Sequence, residues 1–228
     1  MDIIQNALQA AVGTSAVYFC LAAVGLNIQF GYTGLVNFGQ AGFLALGAYG
    51  VAVTVSSFNM PFFLGLGVGL LASAILAVLL GIPTLRLRAD YLAIATIAAA
   101  EVLRLVLGGT WKDKLGGRTG IPGFADSFYD LNPYTTSVLG FRPNEFWVMT
   151  VGWIMVAIVS VFIWLLVRSP WGRVLKAIRE DEEAARSLGK NVYAYKMQTL
   201  VLGGMIGCLG GFAIAIAQDA VQPNSFNL

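Results

Sequence analysis

The sequence predicts an all-α polytopic membrane protein: one transmembrane domain over residues 1–228, with about six spanning helices and a short cytoplasmic helix. Three observations predict it. First, 57% of the residues are hydrophobic and 11% charged, with mean hydropathy +0.75, whereas soluble domains carry about a quarter charged residues. Second, no charged side chain occurs from Ile3 to Leu85. Third, eleven charged residues crowd into Arg168–Lys196, between two apolar stretches. Charge is costly in hydrocarbon and well solvated in water, so this segment lies outside a bilayer that holds most of the chain.

A hydrocarbon core of about 30 Å takes about 20 apolar residues as a helix. On that ruler the spans fall at Leu8–Phe30, Gln40–Phe58, Phe62–Leu85, Tyr91–Leu107, Glu145–Val167 and Met197–Ala217. The first has no basic stretch before it and does not stop after a short apolar core. It reads as a retained span, not a cleaved signal peptide. Between the first two spans lies Gly31–Gly42, GYTGLVNFGQAG. Four glycines with Thr33, Asn37 and Gln40 suit a lipid-facing helix poorly. Irregular backbone at membrane depth survives only where protein or a wet cavity covers it. Two readings stand: an ordinary connecting turn, or a broken or re-entrant helix of the kind that borders transport sites. On the second, Tyr32, Thr33, Asn37 and Gln40 are the candidate substrate-path residues. Asn27 and Gln29 are simpler to read as amides bonded to a neighbouring helix.

Arg86 and Arg88 form a short basic turn, and Arg168–Lys196 holds seven Lys or Arg. Two spans separate these sites, so both fit the cytoplasmic side. Residues 108–143 then form an outward loop and the N-terminus lies outside. Lys112, Lys114, Arg118 and Arg142 run against that assignment. The loop has seven glycines and three prolines, yet also Phe124, Phe128, Tyr129, Tyr134 and Phe141, which argue against full disorder. It reads as an interfacial lid or a contact surface for an external partner. Glu101 and Arg104, one turn apart near the end of the fourth span, can pair and so reduce their burial cost.

Residues 168–196 form the candidate coupling segment. Ser169-Pro170 breaks the chain after the fifth span, and Trp171 suits the interface. Arg173 to Leu188 contains good helix formers without Gly or Pro, then Gly189 at a stop position, which predicts one amphipathic helix along the membrane face. Small Ala184 and Ala185 let a partner surface approach, and Arg179, Glu183 and Arg186 offer charge-assisted bonds. The competing reading is a solvated helix held at the headgroups by its basic residues.

Glu183-Ala184-Ala185 with Gly189 resembles the cytoplasmic loop motif of permease subunits in bacterial ATP-binding-cassette importers. In those permeases the loop seats a coupling helix in a groove of the ATPase. The Ile-x-Leu-Pro ending of the longer pattern is absent, Gln198-Thr199-Leu200-Val201 standing there instead, which points away from maltose-type permeases. Gly25-Leu26-Asn27 and Gly31 to Phe43 resemble the first signature of branched-chain amino-acid permeases of the LivM type. Asp90 to Thr96, Gly117-x-x-Gly120-Ile121 and Ser169-Pro170-Trp171-Gly172-Arg173 follow in that family's order. Such permeases continue for further spans where this chain stops at Leu228, so the chain reads as C-terminally incomplete.

The resemblance implies the translocating subunit of an importer in the bacterial inner membrane. Its partners would be ABC ATPase subunits that bind the ATP, a second permease subunit and an extracytoplasmic substrate-binding protein, with lipid around it. Urea and short-chain amide permeases share much of the pattern and remain alternatives. No cofactor, metal site or catalytic residue is expected in this chain. It has no histidine and no clustered carboxylates in its spans, Cys20 and Cys208 lie in apolar runs, and no G-x-x-x-x-G-K-[ST] phosphate loop occurs. The composition also shows no basic, aromatic-interleaved stripe for nucleic acid. An ion-coupled secondary transporter would place ionisable groups at mid-membrane, and the first three spans have none.

Overall fold

The computed structural model describes residues 10–85, 89–109, 115–117, 119–137 and 141–226, with backbone alone for 89 and 90. Among them, five helices are long and apolar enough to cross a bilayer: Ala10–Gly31, Phe62–Thr84, Tyr91–Gly109, Pro143–Arg168 and Val192–Gln218. The protein is an all-α multi-pass membrane protein. The elements are α1 (Thr14–Leu26) running into a π-turn (Asn27–Gly31), α2 (Gln40–Ser56), α3 (Phe62–Thr84), α4 (Ala89–Gly109), β1 (Ile121–Pro122) and α5 (Asp126–Tyr129). They continue as α6 (Pro143–Arg168), α7 (Pro170–Glu180), α8 (Glu182–Ser187), α9 (Val192–Gln218), β2 (Ala220–Val221) and a 3-10 turn (Pro223–Phe226). The basic turn at Arg86 and Arg88, and Lys112, Lys114 and Arg118 of the outward loop, lie outside the described residues.

The axis of the bundle is α9, 72% buried over its most apolar stretch, against 22–28% for the other four spanning helices. Its glycines explain why. Side chains at Gly203, Gly204, Gly207 and Gly211 would collide with α1 or α2; a Cβ at Gly211 would overlap the Leu44 carbonyl. Small residues admit such close packing, which dispersion forces then reward in a lipid environment. Directions follow from the contacts. Gly203 lies by Gly25 while Gly210 lies by Tyr18, so α1 runs antiparallel to α9. Gln40 meets Gly203 and Gly47 meets Cys208, so α2 runs parallel to it. Gly69 meets Cys208 and Gly81 meets Met197, so α3 turns back again.

The bundle therefore has two distinct ends. One carries Gly31, Leu85 and the segment from Arg168 to Val192. The other is capped by the described residues between α4 and α6, of which Phe124, Ala125 and Phe128 are buried. Ile121 pairs with Val221, and the Asp219 carboxylate accepts from the Phe124 and Ala125 amides at 3.1 and 2.9 Å. Phe128 packs against Phe62 and Trp147, with ring centroids 5.5 and 5.8 Å apart. The Tyr129 hydroxyl donates to the Ile216 carbonyl at 2.6 Å; burial, with Asp219 and Asp126 nearby, pushes its pKa up to about 12.

At Gly31–Gly42 the helix is broken rather than simply turned. After the π-turn, residues 34–38 leave helical geometry, and α2 starts with Gln40 already packed beside Gly25 of α1. The 17-residue α2 spans about 25 Å at 1.5 Å per residue, so the irregular stretch completes that crossing.

Candidate functional site

The break is held by a buried polar clasp. Gly34 takes φ +72°, a left-handed conformation that glycine adopts without strain and that lets the chain double back. Gln29 Nε2 donates to the Leu200 carbonyl of α9 at 3.2 Å. Asn37 Nδ2 donates to Gln29 Oε1 at 2.8 Å, while Asn37 Oδ1 accepts from the Gly39 amide at 2.8 Å. Thr33 Oγ1 lies 3.2 Å from both Thr199 Oγ1 and the Ile28 carbonyl, and Thr96 Oγ1 accepts from the Phe38 amide at 3.2 Å. Gln29, Thr33, Asn37, Thr96 and Thr199 are all buried. Each bond satisfies a group whose desolvation would otherwise cost a few kcal/mol, on the order of 1–3. The clasp thus answers the problem of irregular backbone at membrane depth.

The four substrate-path candidates consequently separate. Thr33 and Asn37 are inside the packing, with their polar atoms engaged. Tyr32 is half-buried at the Arg168 end, its ring 5.8 Å from the Lys176 ammonium. Gln40 borders a cavity of about 570 Å³ between α1, α2, the end of α9 and the 3-10 turn. Tyr18, Phe19, Leu26 and Gln218 share its wall. Gln40 Nε2 donates to the Gly203 carbonyl at 3.2 Å, and its Oε1 is buried with no protein partner. Gln29 bonds to a neighbouring helix, as an amide in a span does. Thr96 and Thr199 gave no sequence signal, because a threonine in an apolar helix usually bonds its own preceding turn.

The coupling segment corrects the sequence reading in two respects. The helix expected from Arg173 to Leu188 is two helices, broken at Asp181 (φ −152°, ψ 103°). Asp181 leaves the helix because its carboxylate caps the Ala184 amide at 2.9 Å, starting α8 in a new direction. Ala185 is not offered outward: it is buried against Ile178 and Val192. What projects is Glu183, its side chain 90% exposed, with Ala184, Gly189 and Leu188, itself 79% exposed. Gly189 ends α8 at φ +75°. Arg186 pairs with Glu182 at 2.9 Å, and Lys196 of α9 also pairs with Glu182. Arg179, itself exposed, donates to the Gly31 carbonyl.

Glu101 and Arg104 pair as their spacing predicts, and Arg104 Nη1 reaches Asn224 Oδ1 at 3.2 Å. They tie α4 to the 3-10 turn at the capped end, beside a cavity of about 400 Å³.

A family model described as "Branched-chain amino acid transport system / permease component" matches residues 9–228. The chain belongs to this permease family. It is 30% identical to the high-affinity branched-chain amino acid permease protein LivM of Escherichia coli, over 94% of this chain and 54% of that protein. A probable LivM of Methanocaldococcus jannaschii is 26% identical over 91% of this chain and 67% of its own length. The guanosine ABC transporter permease NupQ of Bacillus subtilis is 27% identical over 96% and 71%. The chain spans about half the length of the LivM relatives from Escherichia coli and Salmonella typhimurium. No solved structure matches it.

Proposed function

We propose that this chain forms the translocating part of an ATP-driven importer for branched-chain amino acids in the bacterial inner membrane. It has no ATPase site of its own. Separate ABC ATPase subunits bind and hydrolyse ATP, a second permease subunit completes the path, and an extracytoplasmic binding protein delivers substrate. The observation that carries this reading is the projecting ridge of Glu183 and Ala184 on α8 with Leu188 and Gly189 just after it, at the opposite end of the bundle from the aromatic cap. An exposed leucine beside small residues and a charge suits a protein groove, and the exposed Arg186 and Lys190 beside it offer charged contacts to a partner. ATPase closure would press on α8, tilt the helices packed beneath it and change access to the cavity at Gln40. The substrate class is supported by the LivM relatives and by the apolar cavity wall, which suits an aliphatic side chain. NupQ favours a second reading, a nucleoside substrate.

The test is the complex that co-purifies with this chain from its own membranes, reconstituted in liposomes. ATP hydrolysis is measured with leucine, isoleucine, valine, guanosine, urea and acetamide, each with the binding protein present. Stimulation by the three branched-chain amino acids is the expected result. Stimulation by guanosine or by urea and acetamide alone would reassign the substrate, and absence of any co-purified ATPase would sink the importer reading.

A further inference from the structure

We propose that Arg179 is a positioning residue that passes movement of the α7–α8 segment directly into the broken helix, an inference that rests on the importer reading. The two parts lie 148 residues apart in sequence and meet at three contacts. The Arg179 guanidinium donates to the Gly31 carbonyl at the end of the π-turn. The Arg179 stem runs over Gly34, whose missing Cβ would stand 3.5 Å from Arg179 Cγ. One turn earlier on α7, the Lys176 ammonium sits 5.8 Å from the centre of the Tyr32 ring. The chain ceases to be helical beyond Thr33, so the Gly31 carbonyl needs a donor from outside the helix. A guanidinium supplies one with a charge-assisted bond, stronger than a neutral donor would give.

From Gly31 the contacts continue inward without a gap. Gln29, two residues back, accepts the Leu35 amide on its carbonyl at 3.0 Å and holds Asn37 with its side chain at 2.8 Å. Asn37 in turn fixes the Gly39 amide at 2.8 Å, and the next residue is Gln40, which opens α2 at the cavity wall. Displacing α7 therefore pulls on a carbonyl whose neighbours set where α2 begins. The exposed ridge of Glu183 and Ala184 on α8 and Leu188 at its end is distinct from Arg179, so a partner can seat on one while the other transmits. The route reaches Gln40 without requiring α6 or α9 to bend. Residue type matters here: a lysine can give a single bond to the carbonyl, and a methionine fills much of the stem's volume but donates nothing.

The test compares Arg179→Met and Arg179→Lys with the unaltered protein, in the co-purified complex, by two measurements. Amide hydrogen exchange over residues 29–39 should be about tenfold faster in Arg179→Met and close to unaltered in Arg179→Lys. In liposomes, leucine moved per ATP hydrolysed should fall about tenfold in Arg179→Met, with the ATPase still bound, and recover in Arg179→Lys. Unchanged exchange overturns the contact. Faster exchange with an unchanged transport ratio overturns the coupling role. Loss of the ATPase from Arg179→Met makes Arg179 part of the docking surface and overturns the proposal as well. Where the unaltered complex moves another of the tested substrates instead of leucine, the ratio is read with that substrate; an unaltered complex that moves none of them defeats the importer reading first, and the inference with it.

Discussion

Asn37 and Gln40 show how two amides three residues apart come to different work. Both are polar groups in an apolar region, and the sequence marks both as candidates for a substrate path. Composition alone does not distinguish them, because what separates them is which neighbours the fold supplies. Asn37 uses its donor on Gln29 and its acceptor on the Gly39 amide, and it is buried. Gln40 keeps a carbonyl oxygen unpaired at the edge of a cavity. The two variants should therefore fail differently. Asn37→Leu strands two buried polar groups, at a cost on the order of 2–6 kcal/mol, so the protein should lose thermal stability in detergent together with uptake. Gln40→Leu removes one bond to Gly203 and should melt within a few degrees of the unaltered protein while leucine uptake falls. Matching losses of stability in the two variants would return Gln40 to a packing role.

The charged segment Arg168–Lys196 is where local pattern reading falls short, and the reason is visible in two residues. Helix formers run unbroken from Arg173 to Leu188, which predicts one helix; but an aspartate can serve as a cap wherever the chain gains by turning. Asp181 followed by Glu182 and Glu183 in the first turn carries that signal, and its side chain accepts the Ala184 amide at 2.9 Å. The turn is worth making because it buries Ala185 against Ile178 and Val192 and leaves Leu188 outside. Small size thus identified Ala184 and Ala185 as a pair, and only packing told the inner one from the outer. The docking surface then makes a separable prediction. Leu188→Asp should melt as the unaltered protein does, yet retain the ATPase roughly ten- to a hundredfold less well, since burying a leucine at an interface contributes about 1.5–3 kcal/mol. Ala185→Trp should lose the ATPase together with thermal stability, because a tryptophan cannot fit beside Ile178. Undiminished co-purification of the ATPase with Leu188→Asp would leave α8 as a headgroup anchor.

At the scale of the whole molecule, the spans were legible because run length against bilayer thickness is a direct physical constraint, and five long helices with the shorter α2 fall in the expected order. The hierarchy among them was not legible from hydropathy, since α9 is no more apolar than α3 or α6. Its central place follows from the glycines at 203, 204, 207, 210 and 211, which only packing turns into an argument. The same contacts fix an up-and-down course in which the end bearing Gly31 and α7–α8 is opposite the cap formed by β1, α5 and β2. Sidedness then rests on one experiment, because the two ends are opposite. Ser127 lies in α5 on the cap and Lys190 follows α8 at the other end, and both are exposed. In a background in which Cys20 and Cys208 are replaced by alanine, Ser127→Cys should react with an impermeant thiol reagent in intact spheroplasts. Lys190→Cys should react only after the membrane is opened. Coupling to a cytoplasmic ATPase requires this result, since ATP is available on that side alone. Labelling of Lys190→Cys from outside would place the α8 ridge beyond the reach of any ATPase, and labelling of both from one side would contradict the two-ended bundle itself.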